Sequence, residues 1–437
     1  MTDSALSSST ADIAPPGHAP VSRKALVAAV TGNFLEFFDF TVYALFAVMI
    51  GRVFFPVESA SGQLMLTLAT FGVGFLTRPL GGLVIGAYAD RNGRKAALTL
   101  TMLMMALGTG ILGLTPSYDQ IGLLAPALVV LARLLQGFSA GGEMGAATTY
   151  LVEAAPAGRR GLFGSWQYAS QGLATFVACI MGFGLAYTLP EDAMNSWGWR
   201  VPFIFGMLIG PLGFYIRRHM HETTAEHERH ESSGAVLRTL FRDHWGLIVL
   251  GVLTIMGGTI ANYIVGKYMT TYAMHTLGLP AQTAMLIGAI SGAVVFGAAL
   301  LGGWMSDRFG RRALMILPRV IFVLLTVPGF YAITTTASAN VIFAMIAVLA
   351  LFQAMSGAVG IIALPECFPR AVRTSGLSIT YALGVTIFGG TAQLVVTWLL
   401  DVTGDPMALA WYLVATNIIT VIALCRLRPP AAKGALN

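Results

Sequence analysis

The sequence predicts an all-α membrane protein of twelve transmembrane helices in two pseudo-symmetric six-helix halves. Three observations predict it. The 437 residues are 56% hydrophobic and 11% charged, with a mean hydropathy of +0.74, whereas a soluble domain carries about 25% charged residues. The apolar residues fall in blocks of roughly 20 or more, the length a helix needs to cross a bilayer; a membrane β-barrel would show short alternating segments. Finally, two strings recur in the same order. Gly86-Ala-Tyr-Ala-Asp90-Arg91-Asn-Gly93-Arg94-Lys95 and Gly303-Trp-Met-Ser-Asp307-Arg308-Phe-Gly310-Arg311-Arg312 share the pattern G-x-x-x-D-R-x-G-R-[KR], with Asp90 and Asp307 217 residues apart. Glu153-x-x-Pro156-x-x-x-Arg160 recurs as Glu366-x-x-Pro369-x-x-x-Arg373, 213 residues on. Repetition in order marks a duplicated chain, and a membrane protein of two similar halves points to a secondary transporter.

The spans are expected over 25–50, 63–89, 96–115, 121–152, 161–189, 198–216, 246–273, 281–304, 313–335, 340–364, 375–400 and 407–427, and are numbered 1 to 12 below. The short gaps between apolar blocks alternate in charge. One set, with the two ends of the chain, holds 20 of the 26 Lys and Arg; the other set holds Arg52 and Arg200. The positive-inside rule then places both termini in the cytoplasm. The net charge of +6 is thus membrane topology, not a nucleic-acid-binding face. The expected division is 1–22 as a disordered cytoplasmic N-terminus rich in Ser, Thr, Ala and Pro, 23–217 as the N-terminal half, 218–244 as a cytoplasmic linker, 245–428 as the C-terminal half, and 429–437 as a short cytoplasmic tail. The N-terminal stretch lacks the pattern of a cleaved signal peptide, so span 1 is expected to stay as an anchor. The linker carries His219, His221, His227 and His230 among glutamates; it reads as a solvated, partly helical segment rather than a metal site. Cys179, Cys367 and Cys425 have no metal-ligand spacing and read as small core residues.

A charge at mid-bilayer is unfavourable by about 2.5–3.5 kcal/mol on insertion scales, so each one calls for a reason. In span 1, Asn33, Glu36 and Asp39 recur every third residue, with Tyr43 four further on, which puts them along one inward face. A carboxylate there takes up and releases a proton near neutral pH when burial raises its pKa, so Glu36 and Asp39 are the proton-coupling candidates; a permanent ion pair is the alternative. Arg78 lies 12 residues before Asp90, about 18 Å along the helix, and Pro79 beside it can bend span 2. Arg133 is near the middle of span 4. A guanidinium pairs bidentately with carboxylate, so both are substrate-anchor candidates, with a structural pair to an acid as the rival reading. Lys267 in span 7, with Asn262 and Tyr263, would supply the facing wall, unless it snorkels to the interface. Arg319 is expected to snorkel or to pair with Glu366, with substrate contact as the alternative. Gln167, Tyr168, Gln171, Gln353 and Gln393 offer neutral hydrogen bonds to a ligand or between helices. Asp90 and Asp307 can accept hydrogen bonds from arginines or helix-end amides, and together with Arg91, Arg94, Glu143, Glu153, Arg160, Arg308, Arg311, Glu366 and Arg373 form the expected cytoplasmic gate.

The doubled Asp-Arg motif after spans 2 and 8, in a chain of twelve spans, resembles the major facilitator superfamily along nearly the whole length. Gly32-Asn33-Phe-Leu-Glu36-Phe-Phe-Asp39-Phe, Phe75-Leu-Thr-Arg78-Pro79-Leu-Gly and Arg133-Leu-Leu-Gln136-Gly137-Phe-Ser-Ala-Gly141-Gly-Glu143 are similar to its metabolite:proton symporter family. Ser165-Trp-Gln167-Tyr168-Ala-Ser-Gln171 resembles the citrate/tricarballylate branch. The resemblance implies import of a di- or tricarboxylate across the bacterial inner membrane by alternating access, with the proton as coupling ion, no cofactor, a span-1 acid set against the span-4 arginine, and a monomer. The expected partners are a small organic anion, protons and the lipid bilayer. α-Ketoglutarate, shikimate or a zwitterion such as proline or betaine are the alternative substrates, and a non-transporting sensor or channel the alternative class. No phosphate-binding loop points to ATP as the energy source, and nothing in the sequence points to an enzyme.

Overall fold

The computed structural model describes residues 23–92, 94–141, 151, 155–156, 158–207, 210, 242–336, 338–369 and 373–427, and at 23–29, 87, 89–91, 94, 95, 98, 373 and 374 the backbone alone. The histidine-bearing linker, Glu143 and Glu153 lie outside the described residues, as do the side chains of Asp90, Arg91, Arg94 and Arg373. Among the described residues, nine helices are long and apolar enough to cross a membrane, and a bent pair makes a tenth span. Span 3 is Arg94–Leu114, and the described part of span 6 is helical over 201–207. The remaining helices overlap the expected spans: Arg160–Thr188 for span 5, Ala281–Phe309 for span 8, Arg311–Thr336 for span 9, Ala339–Glu366 for span 10 and Ala408–Arg426 for span 12, with Leu124–Gly141 lying within span 4, whose expected end at 152 falls past the described helix. Leucines and tryptophans face outward on many of them, Leu83, Leu107, Leu324, Trp398 and Trp411 among them. An apolar exterior over helices that satisfy their own backbone groups is what a bilayer requires.

Among the described residues, four spans are interrupted. Span 1 runs Arg23–Leu45, bends by 65° and continues as Ala47–Phe54. Span 2 divides into Ala60–Leu76 and Arg78–Asn92 around Thr77. The cause is Pro79, which has no N–H to donate to the carbonyl of Phe75 four residues earlier. That carbonyl instead accepts from the Thr77 N–H and from Thr386 Oγ1 of span 11, at 3.1 Å. A local defect in one half thereby becomes a hydrogen bond to the other. Spans 7 and 11 each contain one π-helical turn, Ile264–Tyr268 and Val385–Gly389. Such turns re-aim side chains within a helix and concentrate at functional sites; the one in span 7 carries Lys267.

The halves meet along two seams. Spans 2 and 11 form one, through the Thr386 bond. Spans 5 and 8 form the other along their whole length. At its middle, Gly172 and Gly292 let the backbones touch: a Cβ on Gly172 would stand 2.6 Å from the Phe296 nitrogen, and one on Gly292 would collide with the Phe176 nitrogen. At the far end, Gln282 Nε2 donates to the Ala186 carbonyl at 2.9 Å. Gly310, the last glycine of the second Asp-Arg motif, has φ +89°, a conformation L side chains avoid. It turns the chain from span 8 into span 9, which explains why the motif has glycine there.

Gly292→Val should drive these backbones apart. Overpacking of this kind costs about 1–3 kcal/mol, and we expect a lower melting temperature for the purified protein with the helix content retained, measured by circular dichroism.

Candidate functional site

The site is built outward from span 1. Asn33 joins that helix to span 5: its Nδ2 donates to Ser170 Oγ at 2.6 Å and to the Gln167 carbonyl at 2.8 Å, and Gln167 Nε2 donates back to Asn33 Oδ1 at 2.7 Å. Three residues on, Glu36 faces Arg78 of span 2 at 3.8 Å; a further three on, Asp39 faces Arg133 of span 4 at 3.6 Å. All four side chains are buried. Asp39 Oδ1 also accepts from Thr109 Oγ1 at 2.6 Å, and Thr109 accepts from Gln136 at 3.1 Å. The span-1 acid set against the span-4 arginine is Asp39, and Glu36 stands against Arg78.

These pairs are attracted across a gap longer than a hydrogen bond. Arg133 has no hydrogen bond on any of its three nitrogens, and Asp39 Oδ2 has none either. Aromatic faces take the place of those bonds. The Arg133 guanidinium lies 3.7 Å from the Tyr43 ring, and that of Arg78 lies 4.2 Å from Phe75 and 4.6 Å from Phe40. A ring quadrupole steadies a cation without engaging its N–H donors. Beside the pairs lies a cavity of about 50 Å³ lined by Glu36, Asp39, Thr101, Thr109 and Ser139, enclosed by spans 1, 3, 4 and 6 of the N-terminal half alone.

A second cavity of about 50 Å³ lies between the halves. Tyr168 and Gln171 of span 5 face Asn262 and Tyr263 of span 7 across it, with Arg319, Ser356 and Tyr381 on its C-terminal wall. Asn262 Nδ2 reaches Gln171 Oε1 at 3.4 Å, and Gln353 donates to the Tyr168 hydroxyl. Lys267 does not reach the interface. It is buried, with Nζ 4.3 Å from the Tyr263 ring and 5.3 Å from Phe37. At about 10–15 Å³ per water, a cavity of about 50 Å³ holds a few waters.

On the side where the Asp-Arg motif of span 8 lies, the halves are latched. Asp307 accepts from the N–H groups of Gly161 and Leu162, at 2.7 and 3.0 Å, at the start of span 5. A carboxylate there meets both unpaired amides and the positive end of the helix dipole. Arg311 holds it in place, 3.4 Å away, and at the same time pairs with Glu366 at 3.1 Å.

The sequence matches the family described as "Sugar (and other) transporter" over residues 24–245 and 216–429. It is 38% identical to a citrate-proton symporter of Salmonella typhi over 423 residues, which are 95% of this chain and 98% of that one. It is also 38% identical to a citrate-proton symporter of Klebsiella pneumoniae, covering 92% and 91% of the two chains. The chain belongs to the metabolite:proton symporter family of the major facilitator superfamily. A putative proline/betaine transporter of Staphylococcus aureus (strain COL) is 36% identical, covering 95% of this chain and 90% of its own. Among solved structures, a D-xylose-proton symporter superposes with a TM-score of 0.77 at 20% identity, covering 94% and 98% of the two chains; it carries the same twelve-helix fold.

On this symporter fold the residues singled out in the sequence separate into groups. Tyr168, Gln171, Asn262 and Tyr263 line the central cavity. Gln167 does not: its amide ties span 5 to span 1. Arg78 and Arg133 stand against acids and rings, outside that lining. Arg308 stacks 4.1 Å over Trp304, and Arg160 opens span 5 at half-burial. Two expectations need correction. Glu366 pairs with Arg311, not Arg319, because Arg311 sits at the same depth as the end of span 10. Arg319 does not snorkel either: it is 2% exposed and lines the cavity. Its depth along the helix was legible, but which way span 9 turns it was not.

If Asp307 is the latch, Asp307→Ala should open that side. Hydrogen bonds to a charged group contribute about 1.5–3 kcal/mol. In a background lacking Cys367 and Cys425, we expect Ser165→Cys, buried against Gly303, to react with a hydrophilic maleimide at least about tenfold faster, the equivalent of 1.4 kcal/mol. An unchanged rate would mean that the seam alone holds this side closed.

Proposed function

We propose that this protein is a proton-coupled symporter that imports a di- or tricarboxylate, citrate or tricarballylate foremost, across the bacterial inner membrane by alternating access. The observation that carries this reading is the pair of span-1 carboxylates set against two arginines in the N-terminal half, in a chain 38% identical over 95% of its length to a citrate-proton symporter.

The chemistry follows from charge. Asp39 with Arg133, and Glu36 with Arg78, are each neutral as pairs. Protonating either carboxylate leaves its arginine as a net positive charge in a medium that solvates it poorly. An anion nearby then becomes favourable, and by linkage the anion raises the proton affinity of the acid by the same factor. Proton and substrate therefore bind together, and Arg78 and Arg133 act on the substrate through their acids. Tyr168, Gln171, Asn262, Tyr263 and Lys267 form the substrate's surroundings. The basic loops face the cytoplasm, so the Asp307 latch closes the cytoplasmic side, with Asp90, Arg91, Arg94, Glu143, Glu153, Arg160, Arg308, Arg311, Glu366 and Arg373 as the remaining gate. No covalent step and no cofactor is needed, and a single chain contains both halves of the site. The second reading, a zwitterionic osmolyte, draws on the 36% identity to the putative proline/betaine transporter.

The test is uptake of labelled citrate into proteoliposomes under an inward proton gradient. We expect accumulation that a protonophore abolishes and that tricarballylate, but not betaine, competes away; competition by betaine alone would establish the osmolyte reading instead. Asp39→Asn, a permanent mimic of the protonated acid, should lose proton-driven accumulation and keep citrate counterflow. Loss of both would assign Asp39 to structure.

A further inference from the structure

We propose that Arg319, with Tyr168 and Gln171, forms a carboxylate-binding subsite on the central cavity and that Arg319 is its charged anchor; this rests on the carboxylate-transport reading above. The argument begins from what surrounds the guanidinium. Arginine carries five N–H donors. Nε donates to Ser356 Oγ at 3.1 Å and Nη1 to Asn417 Oδ1 at 3.0 Å. Both acceptors are neutral, and both are fixed from behind. Ser356 gives its own hydrogen to the Met315 carbonyl at 2.7 Å, and Asn417 Nδ2 is engaged by the Leu413 carbonyl at 2.8 Å. The guanidinium is thereby aimed, with its remaining donors unspent.

Those donors face the cavity. Nη2 lies beside Gly258, where a Cβ would come within 3.2 Å of it, and Gly258 is itself on the cavity wall. No carboxylate pairs with Arg319 among the described residues, and the described lining of the cavity contains neither Asp nor Glu. A brace would not be built this way. A buried charge without a counter-charge is strongly unfavourable, and a neutral side chain would join spans 9, 10 and 12 at lower cost. The N-terminal half shows the contrast, since both of its buried span arginines face an acid.

The neighbours are donors as well. The Tyr168 hydroxyl accepts from Gln353, which leaves its hydrogen free for a third group. Gln171 Nε2 is buried without a partner. A guanidinium, a phenol and an amide nitrogen turned on one cavity form a donor set suited to a carboxylate and unsuited to a quaternary ammonium.

Binding of labelled citrate to the purified full-length protein in nanodiscs tests this, alongside the melting temperature of each unliganded variant. Arg319→Gln should weaken citrate binding by about tenfold or more, the loss of a hydrogen bond to a charged group, with Arg319→Lys partly restoring it. The decisive variant is Asn417→Asp. It puts an internal carboxylate on Nη1, which should hold or raise the melting temperature and still weaken citrate binding comparably. Citrate binding within twofold of wild type in Asn417→Asp and Arg319→Gln would overturn the subsite while leaving the transport reading intact. So would wild-type binding in Asn417→Asp with Arg319→Gln merely unstable, which is the signature of a brace. A wild-type protein that binds neither citrate, tricarballylate nor succinate would overturn both.

Discussion

Every charge that this chain carries into its apolar slab has to be met by something other than water, and the arrangement of the halves follows from how each one is met. In the N-terminal half the answer is internal. Glu36 and Asp39 stand one helical turn apart on span 1, and Arg78 and Arg133 reach them from spans 2 and 4. The pairs are loose, at 3.6 and 3.8 Å, and their cations are steadied by rings. Tight bidentate bonds would make the acids too hard to protonate. Full separation would leave two bare charges in a poorly solvating medium. The observed spacing lies between those limits, which on the proposed reading suits a reversible proton site. In the C-terminal half the answer is incomplete: Lys267 rests on aromatic faces and Arg319 on two neutral acceptors.

The same division shows in the backbone. Close packing between the halves is made by glycines and by neutral hydrogen bonds, among them the Thr386 hydroxyl on the carbonyl released by proline, interactions with little charge. Such seams slide or part at small electrostatic cost. The ionic contact lies at the end, where Asp307 caps span 5 and Arg311 ties it to Glu366. A capping carboxylate is lost as a unit when the helix start moves away, because its two amide partners are adjacent. The contact is therefore suited to switching between made and broken, with no gradual range between. The Asp-Arg motif is intelligible in these terms: Asp307 as the cap, Gly310 as the turn that L side chains avoid, Arg311 as the bridge to the next pair of helices.

Most of the architecture was legible in the sequence because hydropathy acts on whole spans and the repeated motif marks two similar halves. The acid face of span 1 was legible for a similar reason, since a spacing of three on a helix puts residues on one side. What could not be read was rotation about a helix axis. Arg319 and Lys267 had known depths, but depth does not say whether a side chain faces cavity, lipid or neighbour. For Lys267 the π turn at Ile264–Tyr268 changes the facing, and nothing in Ile-Val-Gly-Lys-Tyr announces it. Gln167 and Gln171 are one turn apart on span 5, yet one bonds span 1 and the other meets the cavity. The signal that favoured the cavity for Arg319 was an absence: the expected spans 313–335, 340–364 and 407–427 contain no Asp or Glu to meet it at its own depth.

On the proposed reading, electroneutrality links the two halves. A buried cavity between helices tolerates little net charge. Arg319 on the cavity wall and Lys267, buried behind the cavity-lining Tyr263 ring, offset two carboxylates when both are charged, so a dicarboxylate closes the site with both N-terminal pairs intact. A fully ionised tricarboxylate leaves one negative charge over, and protonation of Asp39 or Glu36 supplies the missing positive charge by releasing an arginine from its pair. The halves then have separate duties. The C-terminal half sets how many carboxylates are held without help, and the N-terminal half sets how many more are admitted with protons. Neither half closes alone on a tricarboxylate, and that mutual requirement is what makes the passage of the anion depend on the proton.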